Sequence, residues 1–205
     1  MTVKKVTIVG AGNTGATMAQ ILAATGIADV VLLDIVEGLP QGKALDIAQS
    51  LPWAGSSSKI LGTNNWADSA NSNILVVTSG VARKPGMTRE DLLGTNAGIV
   101  RSVVAEATSQ SPNAILVIFA NPIDAMCHVA LDTCNWHPSR VVGQGGMLDT
   151  ARYRTFISME TGASVRDVSA WVLGGHTEAT MVPLVSNATV GGVPLTSLLS
   201  QEKIQ

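Results

Sequence analysis

Gly10, Gly12 and Gly15 stand between a short apolar run and a helical stretch, and Asp34 closes the next apolar run. That order of elements gives the three glycines a shared purpose. The first permits a tight turn, the second lets a pyrophosphate approach the backbone, and the third lets helix and strand pack closely. The helix that starts there, with Asn13 and Thr14 at its head, offers unpaired N–H groups to an anion. A carboxylate at position 34 can accept hydrogen bonds from an adenosine ribose diol and would repel a 2′-phosphate, so the pattern favours NAD over NADP. The plainer alternative is a packing turn with Asp34 as a helix cap.

A second group carries different chemistry. Asp149 and Arg152 are three positions apart and hence neighbours on one helical face, and Gly174, Gly175 and His176 follow further on. One member of the pair can hold a histidine while the other presents its guanidinium fork to a carboxylate. His176 is the candidate acid/base, since a neutral imidazole can take a hydroxyl proton and a carboxylate such as Asp149 can fix its tautomer. Arg83 and Arg89 flank Pro85 and Gly86, which with Gly80 are hinge material for a lid. Asn121 precedes Pro122 at the end of an apolar run, on the edge where open α/β sheets bind ligands. A solvated loop cation at Arg83 and a turn-forming asparagine at Asn121 are the bland alternatives.

The elements that must position these residues are legible in outline. Apolar, β-branched runs at 6–9, 30–33, 74–77, 115–118 and, more weakly, 140–142 lack in/out alternation and read as buried strands. Between them, 13–25, 38–50 and 89–110 have helical composition, whereas 55–58 and 67–73 read as loops or short turns. The alternation predicts a doubly wound parallel α/β sheet. After about residue 145 the pattern changes: 148–162 reads as a helix, 168–173 as a strand, and Gly191 with Gly192 as the turn of a hairpin. We expect a dinucleotide-binding domain over 1–145 and an incomplete α+β substrate domain over 146–205.

Composition narrows the classes further. The 205 residues are 46% hydrophobic and 14% charged, which is ample for a buried core. A net charge of −2 with no basic block argues against nucleic acid, and no apolar stretch approaches the roughly 20 residues of a membrane helix. A strand-like run begins within a few residues of Met1, so a cytoplasmic location is expected. Cys127 and Cys134 suit neither a disulfide framework nor a tetrahedral metal site, and His128 and His137 read as structural or surface residues. No metal is expected.

Three segments together carry a family resemblance: Thr78 to Arg89 with Gly80, Arg83, Pro85 and Gly86; Asn121-Pro122-Ile123-Asp124; and Leu148-Asp149 with Arg152 and Gly174-Gly175-His176. They resemble the lactate/malate dehydrogenase family from the first strand to about residue 184, and within it the malate-acting members similar in sequence to lactate dehydrogenases. The resemblance implies a Rossmann-type fold and reversible oxidation of (S)-malate to oxaloacetate by hydride transfer to NAD. It implies His176 as acid/base, Asp149 as its orienting carboxylate and Arg89 as the group that polarises the reacting carbonyl. Arg152 and Arg83 would bind the two carboxylates of a small dicarboxylate, with Asn121 near both substrate and nicotinamide. Thr78, Gly80, Asn96 and Asn121 would join Gly10, Gly12, Asn13, Thr14, Gly15 and Asp34 around the cofactor. Lactate-acting members carry glutamine where Arg83 stands, so charge matching points to malate. Homodimers or homotetramers are usual in the family.

Two departures from the family pattern set further expectations. After His176 the family continues Gly-Asp, whereas this chain reads Thr177-Glu178 and is one residue longer before Met181, so the backbone that places His176 is expected to differ. Family members also run to roughly 300 residues, so the chain is expected to be a C-terminally truncated fragment. The alternatives that stay open are an NAD-binding chain without turnover and a lactate or other 2-hydroxyacid dehydrogenase.

Overall fold

Six short runs rich in Val, Ile and Leu form one parallel sheet: β1 (Lys4–Val9), β2 (Ala28–Leu33), β3 (Ile60–Thr63), β4 (Ile74–Val77), β5 (Ile115–Ile118) and β6 (Val141–Gly143). Their spatial order is β3-β2-β1-β4-β5-β6. The computed structural model describes residues 4–82 and 85–204. Chain order reverses between β1 and β4, which is the switch point of a doubly wound fold. Alternate residues of each strand face opposite layers. Val6, Ile8, Val30 and Leu32 pack on α1 (Asn13–Thr25) and α2 (Leu39–Ala54). Leu75, Val77, Leu116 and Ile118 pack on α3 (Arg89–Gln110) and α4 (Ile123–Cys134). Burial on both faces explains why these strands read as unbroken apolar runs.

The apolar pattern does not reveal β3, and the reason is Gly62. It dilutes the strand signal, yet a Cβ built there would lie 2.0 Å from the Pro40 carbonyl oxygen, so only glycine lets the start of α2 press against the strand. Pro52 likewise hides the end of the second helix, which the helical pattern places at 50. α2 runs on to Ala54 and stops at Gly55 in the left-handed region, whose N–H bonds the Leu51 and Pro52 carbonyls. At the head of α3, Thr88 and Asp91 form a reciprocal capping box. The hydroxyl and N–H of Thr88 hold the Asp91 carboxyl below its usual range.

The backbone falls into two compact units, 1–143 and 144–205. The second is built on α5 (Gly146–Thr161) with two small antiparallel sheets. The expected single strand over 168–173 divides into β7 (Val168–Ser169) and β8 (Val172–Gly174), which belong to different sheets. The break has local causes. The Val172 N–H donates to the Thr150 hydroxyl on α5 at 3.0 Å, and the Trp171 carbonyl accepts from Leu184 N–H at 2.9 Å. β8 pairs with β9 (Met181–Pro183), while β7 pairs with β10 (Thr189–Val190). β10 and β11 (Val193–Pro194) form the hairpin expected around Gly191 and Gly192, both at positive φ. Ile157, Val168, Ala170, Ala188 and Leu195 make this unit's own core. Among the described residues no helix is long and apolar enough to cross a membrane.

Candidate functional site

The glycine turn lies where the fold places ligands, beyond the carboxyl end of β1 beside the switch point. Gly10 has φ +111° and its N–H donates to the Leu33 carbonyl at 2.8 Å. A Cβ at Gly15 would lie 1.8 Å from the Gly10 carbonyl oxygen, and one at Gly10 would lie 2.5 Å from Thr78 Oγ1. The Thr78 hydroxyl is 3.1 Å from the carbonyl oxygens of both Val9 and Gly10, and that of Ser79 donates to Val9 at 3.0 Å. The turn is thus closed by backbone on one side and hydroxyls on the other. α1 begins at Gly12 with neither a capping side chain nor an acidic residue in its first turn, which leaves its N-terminal N–H groups to an anion.

Beside this turn opens a cavity of about 500 Å³, lined by Gly10, Gly12, Asn13, Thr14, Gly15, Asp34, Thr78 and Gly80 of the sequence-predicted set. Asp34 stands at the end of β2. Its Oδ2 accepts from Ala11 N–H at 2.6 Å and its Oδ1 from Val36 N–H at 2.9 Å, which aims the carboxylate along the cavity wall. Gly10 and Gly15, which no side chain could replace, an uncapped helix start and a fixed carboxylate fit a dinucleotide without a 2′-phosphate. Sequence reasoning missed Trp66, Ile99 and Val103, which also line the cavity. Ile99 and Val103 lie four apart on α3, a spacing that reads equally well as core.

Asn96 and Asn121 do not line this cavity. Asn96 is buried, and its amide is fully engaged with backbone: Oδ1 accepts from Val81 N–H at 2.8 Å, while Nδ2 donates to the carbonyls of Val81 and Asn121 at 3.2 and 2.7 Å. It ties the segment after β4 to the segment after β5. Asn121 is joined to Pro122 by a cis peptide bond at the start of α4. Arg83 lies outside the described residues. Of Arg89 only the backbone is described, as the first residue of α3.

In the second unit, α5 carries Asp149 in its first turn and Arg152 one turn on. Asp149 is only 6% exposed, and both carboxylate oxygens are used: Oδ2 lies 2.6 Å from His176 Nδ1 and Oδ1 accepts from Arg152 Nη1 at 3.3 Å. A buried carboxylate needs such partners to offset lost hydration. Pairing with Asp149 assigns the proton of a neutral imidazole to Nδ1 and leaves Nε2 as the basic nitrogen. His176 is seated against backbone, since a Cβ at Gly145 would lie 2.9 Å from its Cβ. Arg152 is 60% exposed, so most of its five donors remain open to solvent.

The departure at Thr177 is absorbed elsewhere. Gly174 takes φ +90°, where a Cβ would meet the Thr180 carbonyl at 2.1 Å, and Thr177 keeps a negative φ. The longer turn is closed by bonds from the N–H groups of Thr180 and Met181 to the Thr177 carbonyl, at 3.0 and 2.9 Å. The histidine therefore still meets its carboxylate. Among the described residues no cluster of histidine, cysteine and carboxylate could hold a metal ion.

The first unit thus carries a dinucleotide-type parallel sheet, and the second a buried Asp–His pair with an arginine one turn along the same helix. The comparisons with known proteins make this specific. Residues 4–143 match the lactate/malate dehydrogenase NAD binding domain, and residues 146–205 match the alpha/beta C-terminal domain of the same enzymes. The chain belongs to the lactate/malate dehydrogenase family. It is 54% identical over 202 residues to the malate dehydrogenase of Thermomicrobium roseum, covering 98% of this chain and 65% of that protein. Identity to the malate dehydrogenase of Rhodopirellula baltica is 53%, with 98% and 64% covered. Among solved structures, the apo malate dehydrogenase of Picrophilus torridus superposes with a TM-score of 0.93 at 41% identity, covering 99% of this chain and 64% of that one. The lactate dehydrogenase of Cryptosporidium parvum, complexed with lactic acid and nicotinamide adenine dinucleotide, gives 0.91 at 41%, covering 100% and 66%. The chain thus spans about 65% of the length of the curated relatives it matches.

Proposed function

We propose that the chain carries the cofactor domain and the acid–base group of an NAD-dependent malate dehydrogenase, interconverting (S)-malate and oxaloacetate. The observation that carries this reading is the buried Asp149–His176 pair at 2.6 Å with Arg152 one turn along the same helix. Bound NAD supplies the hydride acceptor. In the oxidation, His176 Nε2 takes the hydroxyl proton of the substrate as the C2–H bond gives up its hydride and the C2–O bond becomes a carbonyl. Asp149 balances the imidazolium charge that then forms, and the reverse direction returns the proton to the alkoxide oxygen. Arg152 offers a bidentate fork to the carboxylate next to the reacting carbon. Arg89 stabilises charge on the reacting oxygen, and Asn121 orients substrate against the nicotinamide.

Substrate choice is the task of Arg83. Both lactate- and malate-acting enzymes superpose closely, so the overall fold does not separate them. A guanidinium that faces the second carboxylate of a four-carbon diacid favours it over a methyl group by charge matching. Replacing Arg83 with Gln should lower kcat/KM for oxaloacetate by about a hundredfold, the scale of a lost charged hydrogen bond, and raise the relative rate with pyruvate. An unchanged oxaloacetate preference would overturn the assignment. Exposed Leu45 and Trp53 on α2 support assembly into a dimer or tetramer, and free Cys127 and Cys134 support a cytoplasmic location.

A further inference from the structure

Asn64 lies just beyond β3, outside the lining of the cofactor cavity, and reaches back to the loop that carries Asp34. Its Nδ2 donates to the carbonyl of Asp34 at 2.7 Å and to that of Val36 at 3.0 Å, while its Oδ1 accepts from Gln41 Nε2 at 2.5 Å. One planar amide can serve two carbonyls two residues apart only where the backbone bends sharply. That same bend lets the Asp34 carboxylate fold back onto Val36 N–H at 2.9 Å while accepting Ala11 N–H at 2.6 Å. The loop is therefore held from within by the carboxylate and from without by Asn64.

Asn64 is itself well anchored. Thr63 is buried, its hydroxyl donates to Asp68 at 2.5 Å and accepts from Asn65 N–H at 2.9 Å, and Asn65 caps the short turn Trp66–Ser69. The Asp34 N–H adds a backbone bond to the Thr63 carbonyl at 3.2 Å. β3 thus ends in a fixed frame, and the Asn64 amide transmits that frame to Asp34.

We propose that Asn64 is a positioning residue for dinucleotide selection, which acts through Asp34 by holding its carboxylate where a ribose diol is accepted and a 2′-phosphate refused. The proposal rests on the reading of the cavity at Gly10 to Asp34 as the NAD site. Without the amide, the loop keeps the Asp34 N–H bond to the Thr63 carbonyl, but the bend that brings the carboxylate onto the Ala11 and Val36 N–H groups loses its outer support.

The test is a fluorescence titration of the 205-residue chain and its variants with NADH and with NADPH. Asn64→Ala should weaken NADH binding about fivefold, the scale of one net hydrogen bond, and weaken NADPH less, so that the ratio of the two affinities falls. A change that only loosens the fold would weaken both equally and leave the ratio where it was, which would overturn the proposal. Asn64→Leu, which keeps the volume and removes both donors, serves the same purpose if the alanine variant does not fold. In an Asp34→Ala background, Asn64→Ala should leave the ratio unaltered; a further drop there would show that Asn64 does not act through Asp34. A parent chain that binds no NADH would overturn the cofactor reading and this proposal together, whereas normal binding with an unchanged ratio in the variants overturns this proposal alone.

Discussion

At the scale of single residues, the chemistry rests on how a buried carboxylate is satisfied. Asp149 spends one oxygen on His176 and the other on Arg152, so the proposed acid/base and the proposed carboxylate-binding arginine are set by the same group. Removing its charge should act on turnover rather than on cofactor. We predict that Asp149→Asn lowers kcat/KM for oxaloacetate by about two orders of magnitude or more, the range of general acid–base catalysis. NADH affinity should hold, because every residue lining the cofactor cavity lies between Val9 and Val103. A parallel loss of NADH affinity in a titration would mark Asp149 as merely structural. Asn96 shows the opposite case. The family resemblance suggests contact with cofactor, whereas its side chain is consumed by the backbone of Val81 and Asn121.

At the scale of elements, five of the six parallel strands and the glycine turn were legible because two-sided burial leaves long aliphatic runs. β3 was not, since the glycine that lets α2 approach it also erases its β signal. The 168–173 run was read as one strand because local pattern carries no information about the tertiary bonds from Thr150 and Leu184 that divide it. Asn64 was invisible for the same reason: its partners lie 28 and 30 positions away. The packing of α4 makes its own prediction. Burial first, and then the negative charge of Asp124, push the Cys127 thiol from an ordinary 9.0 up to about 11. Between those values the unfolded thiol ionises and the folded one does not, so this residue makes stability fall as pH rises through that window and has no effect below it. Urea midpoints at about pH 8 and about pH 10.5 should therefore drop less in Cys127→Ala than in the parent. An equal drop would contradict the burial argument.

At the scale of the whole molecule, a net charge of −2 and a cavity of about 500 Å³ beside the glycine turn are what the chain offers a dinucleotide. Family membership covers both units, with the NAD-binding model on 4–143 and the C-terminal domain model on 146–205. The segments at 78–89, 121–124 and 148–176 were enough to anticipate the family, while the placement of each side chain depended on tertiary bonds. The central claim is that this chain moves hydride between NAD and a four-carbon 2-hydroxy diacid. The most direct measurement is oxidation of NADH by the 205-residue chain with oxaloacetate or pyruvate as acceptor, with NADH binding titrated in parallel. The account predicts NADH binding and consumption of NADH matched by malate formed, faster with oxaloacetate than with pyruvate. Binding of NADH with no oxaloacetate-dependent oxidation, or a preference for pyruvate, would contradict it.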